Sequence, residues 1–430
     1  MSQSTATGDL PSLRLRLLRL AITSVVFFAF PLTFFHRMGM AVIAGDLEGA
    51  FTLSASALGL LGAAYFYPYA LMQIPVGVMV DTIGARRVLT VGFGVASVGA
   101  LLFALAFSFE QALAGRLLIG LGSAAVFLTA QRIFINWYPP RQFALMGGLL
   151  NTAGNFGGLM AAMPLAMAAT AFGWREVFLG VAASMIAVTL FGLLVLRDRP
   201  PEGWQRKGRH QTAPQPSLRE TLALVVKARQ AWLIAAGLLP IFGTRFAING
   251  LWGGPFLTDV YGLDPAQVGA ILMSMTLAAA LGGPVVGYLS DRVVRSRKRL
   301  VVAGSLGFTL CLVPMVVATD AIPLPGLYLL MIALGLLFSI WLPAFAQTKD
   351  LYPAALATTV LSVVNFAATL GGALYQQLLG VIIGLFEKTA SGYPPDAYRA
   401  AFGFCLATTA ISTALMALSR EKPGDSRGLS

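Results

Sequence analysis

The chain's 430 residues form a succession of apolar blocks, each 18 residues or longer, separated by short polar connections. As an α-helix, which rises about 1.5 Å per residue, such a block crosses the roughly 30 Å hydrocarbon core of a bilayer. Lipid offers the backbone no hydrogen-bond partners, so a spanning segment must be a helix or part of a closed barrel. Blocks this long and continuously apolar select helices. Composition agrees, with 57% hydrophobic and 11% charged residues, where a soluble domain carries about 25% charged. Twelve spans are predicted, near 20–44, 56–80, 88–108, 112–138, 142–169, 175–196, 232–258, 267–290, 300–318, 325–349, 354–386 and 399–419. The fold class is all-α membrane protein.

The net charge of +12 could suggest nucleic acid, but its distribution argues against that partner. The basic clusters fall in alternate connections: Arg14 to Arg19, Arg86 and Arg87, Arg197 to Arg229, Arg292 to Arg299, and Arg420 to Arg427. The opposite connections carry Asp46, Glu48, Glu110, Asp259, Asp264 and Asp320. An excess of Lys and Arg on one side is the positive-inside pattern, and it puts both termini in the cytoplasm. Met1 to Pro11 is not a cleavable signal, because the apolar block that follows is too long. Cys311 and Cys405, inside spans and without a histidine cluster, predict neither a metal site nor a disulfide framework.

The one long polar segment, 197–231, contains Pro200, Pro201, Gly203, Pro214 and Pro216 among its charges and reads as a cytoplasmic linker. It divides the chain into six-span bundles at 1–196 and 232–430. The halves repeat: Arg245 follows Arg37 by 208 residues, Asp291 follows Asp81 by 210, and Pro353 follows Pro139 by 214. Paired halves enclosing a site near the bilayer midplane are a recurring solution to alternating access.

The segment running Gly77, Asp81, Gly84, Arg86, Arg87 resembles the loop signature of the major facilitator superfamily, and Gly287-x3-Asp291-Arg292 is a shorter copy. In the first copy Gly77 suits close helix contact and Gly84 a tight turn, while Asp81 suits a latch against a helix N-terminus or an arginine. Thr82 stands where that signature has a basic residue. Arg116-x3-Gly120-x-Gly122 resembles the family's second motif. The fifth span has paired glycines, Gly157 and Gly158, but lacks the Gly-Pro pair of its drug–proton antiporters. Phe35-His36-Arg37, the run from Ala70 to Gly77, and Gln131-Arg132 before Trp137 are similar to the organic-anion branches, the anion:cation symporters and organophosphate antiporters. The resemblance implies twelve transmembrane helices in two pseudo-symmetric bundles, no cofactor and no enzymatic activity.

A charge at the bilayer centre costs at least about 2.5–3.5 kcal/mol, so Arg37, Arg132 and Arg245, all within spans, are expected to face a polar cavity. Arginine can grip a carboxylate or phosphate with two parallel hydrogen bonds. The competing reading is that each caps a helix or pairs with an acid; Arg132 in particular could serve the Asp81 latch. Tyr65, Tyr69 and Gln73 share a face of span two. Asn249 and Trp252 follow Arg245, and Asn365, Tyr375 and Gln376 lie in span eleven. These suit a wall for a small anion, or equally helix packing. With no Asp or Glu deep in a span, His36 is the candidate carrier of a coupling proton. Gating is expected at Gly77, Asp81, Gly84, Arg86, Arg87 and Asp291.

The expected function is secondary transport of a small organic anion, coupled to protons, by a monomer surrounded by lipid in a bacterial inner membrane. Proton-driven efflux of amphipathic compounds is the alternative within transport. A non-transporting receptor or lipid-handling protein is the alternative of another class.

Overall fold

The structure is a computed structural model that describes residues 13–200, 228–294, 296–352, 354–390 and 392–421. Most of the predicted linker, 201–227, and both chain ends lie outside the described residues, and so does the side chain of Asp291. Among the described residues eleven helices are long and apolar enough to cross a membrane, and a twelfth is the bent pair Arg141–Met160 and Met163–Phe172. Span one is Leu13–Met38, span two Ala55–Thr82, span four Phe109–Trp137 and span six Trp174–Val195. Span seven starts as Arg229–Ala247, span eight is Pro265–Tyr288, span eleven Ala354–Ile383 and span twelve Pro395–Leu418.

Local chemistry explains several helix starts. The side chains of Ser54 and Ser108 accept hydrogen bonds from the backbone N–H of Ala57 and Gln111, and so cap spans two and four. Asp264 and Gln267 form a reciprocal capping box ahead of span eight, with Pro265 at its first position. Three spans are less regular than their apolar pattern predicts. Span five bends by 41° between Met160 and Met163. Span ten breaks between Leu324–Phe338 and Trp341–Asp350. Span seven widens into a π-helical turn at Ile248–Trp252 before continuing as Gly253–Tyr261.

The internal repeat is visible in how the helices cross. A Cβ added to Gly157 in span five would lie 2.1 Å from the carbonyl oxygen of Pro31 in span one. One added to Gly371 in span eleven would lie 2.3 Å from that of Leu239 in span seven. Gly120 of span four meets Tyr65 of span two at 2.0 Å, and Gly335 of span ten meets Met275 of span eight at 2.2 Å. Each crossing in the second half follows its counterpart by 208–215 residues. Apolar lipid provides little drive for helix association, so such backbone-to-backbone contact at glycine is what holds each bundle.

The halves meet at the end that carries the acidic connections. There Gly59 and Gly62 of span two abut Gln376, and Gly254 of span seven abuts the Ala41 carbonyl. Gly269 of span eight abuts Met163 of span five. The Ala55 N–H donates to the Tyr393 hydroxyl (3.2 Å), the Tyr67 hydroxyl to Gln377 Oε1 (2.5 Å), and Lys388 pairs with Glu48 (2.5 Å). Followed toward the basic end, the same face of span two reaches Gly77, where an added Cβ would meet nothing within 4 Å; Gly287 of span eight is equally open. Gly77 was expected at a close helix contact. In this conformation the halves have diverged by that level, and the position is vacant.

Candidate functional site

Arg37 lies at the end of span one and Arg245 near the end of the regular part of span seven, at matching positions of the repeat. The Arg37 guanidinium carbon lies 4.7 Å from the ring centroid of Tyr69, 4.9 Å from Phe34, 5.5 Å from Tyr65, 5.6 Å from Phe246 and 5.7 Å from Phe66. That of Arg245 lies 4.4 Å from Phe338 and 5.7 Å from Phe246. Both cations therefore touch the same ring, Phe246, which limits their separation to the sum of those two distances. Among the described residues no carboxylate lies within 4 Å of either, and both Nε atoms are buried without a hydrogen-bond partner.

Magnitudes decide how the two charges persist. A cation over an aromatic face gains about 0.5–2 kcal/mol, so a cage of rings offsets much of the few kcal/mol that a centrally placed charge costs. Stacking uses the flat face of the guanidinium, whereas a carboxylate or sulfonate binds along its N–H edge. The cage stabilises each cation; the Tyr65 and Tyr69 hydroxyls also bond the Arg37 guanidinium, while the Nε atom of each arginine is left buried without a partner. Tyr65 and Tyr69 stack at 5.8 Å with planes 20° apart, and the Tyr65 hydroxyl donates to the Thr33 carbonyl at 3.4 Å.

The other expected wall residues lie elsewhere. Trp252 is fully buried and donates from Nε1 to the Gln376 carbonyl at 2.8 Å. Gln376 donates from Nε2 to the Phe246 carbonyl at 2.9 Å, next to the π-helical turn, where the regular helix ladder is interrupted. Asn249 donates to the Thr276 hydroxyl at 2.9 Å. In this conformation these three build the packed roof over the arginines on the acidic side. Tyr375 packs inside its own bundle against Gly243 and Phe404. Gln73 is buried with Nε2 unpartnered, and Asn365 is half-buried further along span eleven.

Arg132 stands apart from the central pair. It meets Asp81 at 3.3 Å, both side chains being partly exposed at the basic end, so the structure favours the latch over substrate contact for it. Gly84, at φ +93°, turns the chain so that the Arg86 N–H reaches the Asp198 carboxylate at 2.8 Å; a Cβ there would collide with that carboxylate. The Arg86 side chain donates to the Leu193 carbonyl, and Arg87 is exposed. The His36 ring packs against Phe35 and, 5.6 Å away, against Phe178 of span six, inside the first bundle rather than beside the central pair. Both its ring nitrogens are buried and unpartnered.

Two features go beyond the sequence reading, which marked Arg116 only as part of the family's second motif and did not mark the phenylalanine cages. Arg116, fully buried, donates to the carbonyls of His36 (2.7 Å), Leu61 (3.3 Å) and Gly62 (3.3 Å) and ties spans one, two and four together. The rings of Phe34, Phe66, Phe246 and Phe338 complete the cages. With 28 phenylalanines in the chain, only their adjacency to Arg37 and Arg245 could have singled out Phe34 and Phe246, and nothing marks Phe66 or Phe338.

Comparison with known proteins places this geometry. The sequence profile described as Major Facilitator Superfamily matches residues 25–376 and 241–429. The chain is 26% identical to the uncharacterized transporter YybO of Bacillus subtilis over 84% of its own length and 86% of that protein's. It is 25% identical to the probable sulfoacetate transporter SauU of Cupriavidus necator, over 70% and 73%. Among solved structures, a bacterial homolog of the human lysosomal transporter Spinster, in an inward-facing and unoccupied conformation, superposes with a TM-score of 0.78 at 20% identity, covering 94% of this chain and 97% of that one.

Proposed function

The chain belongs to the major facilitator superfamily, and on that premise we propose that it is a secondary transporter of a small organic anion, working by alternating access. The observation that carries the reading is the pair Arg37 and Arg245, one from each half, reaching a common ring with no carboxylate beside either among the described residues. An anion gripped by both would neutralise them and draw the halves together, which couples occupancy to rocking. The relative named for sulfoacetate, itself an organic anion, supports this substrate class.

The asymmetry between basic and acidic ends supports an orientation in a bacterial inner membrane with both termini in the cytoplasm. In that orientation the packed end is the outer one, and the structure is inward-facing. Proton coupling is assigned to His36, whose unpartnered nitrogens are available for titration once water reaches them through the first bundle. The Asp81–Arg132 pair governs the inner closure.

The test is anion-dependent thermal stabilisation of the purified chain, followed by uptake into proteoliposomes under an imposed proton gradient. Arg37→Lys and Arg245→Lys keep the charge but lose the two-pronged edge, and each is expected to weaken anion binding at least tenfold. Wild-type affinity in both variants would make the arginines structural. Uptake in His36→Gln that still follows the proton gradient would remove the histidine from coupling.

A further inference from the structure

We infer that the anion accepted at the Arg37–Arg245 pair carries a planar, aromatic body with a single carboxylate or sulfonate, rather than a polyhydroxylated chain. The inference rests on the proposed anion site and asks what must lie beside its charged group.

Polyol recognition requires buried donors and acceptors, because a substrate hydroxyl that loses water without gaining a partner weakens binding by at least about fivefold. The fold has spent the amide donors nearest the pair, and the unpartnered acceptors Gln376 Oε1 and Asn249 Oδ1 are held in the roof. Gln376 Nε2 is engaged by the Phe246 carbonyl and Asn249 Nδ2 by Thr276, both in the roof between the halves. The Tyr65 hydroxyl is directed at the Thr33 carbonyl. The Tyr69 hydroxyl bonds Arg37, so among the described residues the unpartnered Gln73 amide, one turn beyond Tyr69 on span two, is the nearest remaining side-chain donor on that face. Several hydroxyls on one substrate would exceed what that amide can serve.

The rings tell the complementary half. Phe246 lies between the cations and packs against Phe66, with centroids 5.1 Å apart. From Arg245 the aromatic surface continues through Phe338 to Phe242 at 4.8 Å, and from Phe242 to Trp341 at 6.4 Å. A flat apolar body bound edge-on to the guanidinium forks would find ring faces and edges on both sides, at the separations where aromatic pairs attract. A site for a sugar acid would need the opposite balance, with amides at the centre and rings in the roof.

The experiment is isothermal titration of the full-length chain in nanodiscs with 2-naphthoate and with glucuronate, two monoanions of different bodies. The expected result is naphthoate affinity at least tenfold above that of glucuronate in the unmutated protein, a comparison that requires no variant to fold. Phe338→Leu is expected to lower the ratio of naphthoate to glucuronate affinity by about fivefold or more, whatever it does to the grip of Arg245 on both. Glucuronate binding as tightly as naphthoate, and lost in Arg37→Lys, would overturn the aromatic assignment while leaving the anion site intact. Binding of both ligands that is indifferent to Arg37→Lys and Arg245→Lys, or no binding of either, would overturn the inference together with the anion reading beneath it.

Discussion

Closure of the acidic end depends on a contact that a single methyl group should prevent. A Cβ at Gly254 would lie 1.6 Å from the Ala41 carbonyl oxygen, and the obstacle is backbone, which cannot rotate aside. Ordinary contact for such a pair is about 3.4 Å or more, so Gly254→Ala forces span seven and the turn after span one apart by up to about 2 Å. Forced overpacking costs about 1–3 kcal/mol, and a bias of that size between two conformations changes their ratio about 5- to 150-fold. The cost falls on the conformation seen here, because opening the acidic end relieves it. Pulsed EPR distances between spin labels at Glu110→Cys and Asp320→Cys, in a Cys311→Ser, Cys405→Ser background, report that end directly. The expected outcome is a shift of the Gly254→Ala population to longer distances. Gly287→Ala, where an added Cβ meets nothing within 4 Å, is the matched control and should not open that end. If Gly254→Ala keeps the unmutated distance distribution and only melts earlier, the contact is ordinary packing and carries no conformational bias.

Arg116→Leu removes the guanidinium that bridges the carbonyls of His36, Leu61 and Gly62 and should lower stability by about 1–3 kcal/mol, read as a drop in melting temperature in detergent; a near-normal melt would show that water or a neighbour replaces the guanidinium. Asp81→Asn breaks a partly exposed ion pair worth at most about 1 kcal/mol, so the fold should survive while transport turnover falls; unchanged turnover would dismiss the latch. At Glu48, burial raises the carboxyl pKa against the opposing pull of Lys388. The closed acidic end therefore binds a proton more readily than an open, solvated one, and acidification through the carboxylate range should favour closure there. Glu48→Gln should weaken that pH dependence, with Asp259 and Asp46, also raised by burial, retaining the rest; opening of this end in acid would reverse the sign and refute the argument.

What could be read from the sequence followed from constraints that lipid imposes residue by residue. Twelve apolar blocks and constant offsets between paired motifs were enough for the helical architecture, since each rests on local composition or spacing. The breaks in spans five and ten and the π-helical turn in span seven were not legible, because the apolar pattern runs unbroken through all three. Interhelical contacts decide where a helix widens or bends: Gln376 engages the Phe246 carbonyl beside the widened turn, from a residue 130 positions away. Trp252, Asn249 and Gln376 matched the composition of a ligand wall, and composition cannot distinguish a wall from a roof. Arg132 could be read either way until its distance to Asp81 was known.

The repeat makes the two halves alike in backbone and unlike in chemistry, and that difference bears on how the centre can act. The glycine crossings recur at matching positions in both bundles, so each half is a rigid body of the same construction. Arg37 and Arg245 also match, yet among the described residues five rings lie against the first and two against the second. With a thinner cage, Arg245 has less compensation for its desolvated charge and so more to gain from an anion. Phe246 comes from the second half but also contacts the cation of the first, so displacement of that half moves a ring away from Arg37 as it moves Arg245 itself. Rocking the halves apart without a ligand would therefore expose both cations to loss of stacking at once. An anion held between them would replace that loss with two charge-assisted grips. The energetic penalty for moving empty is thus built from the same residues that recognise the cargo.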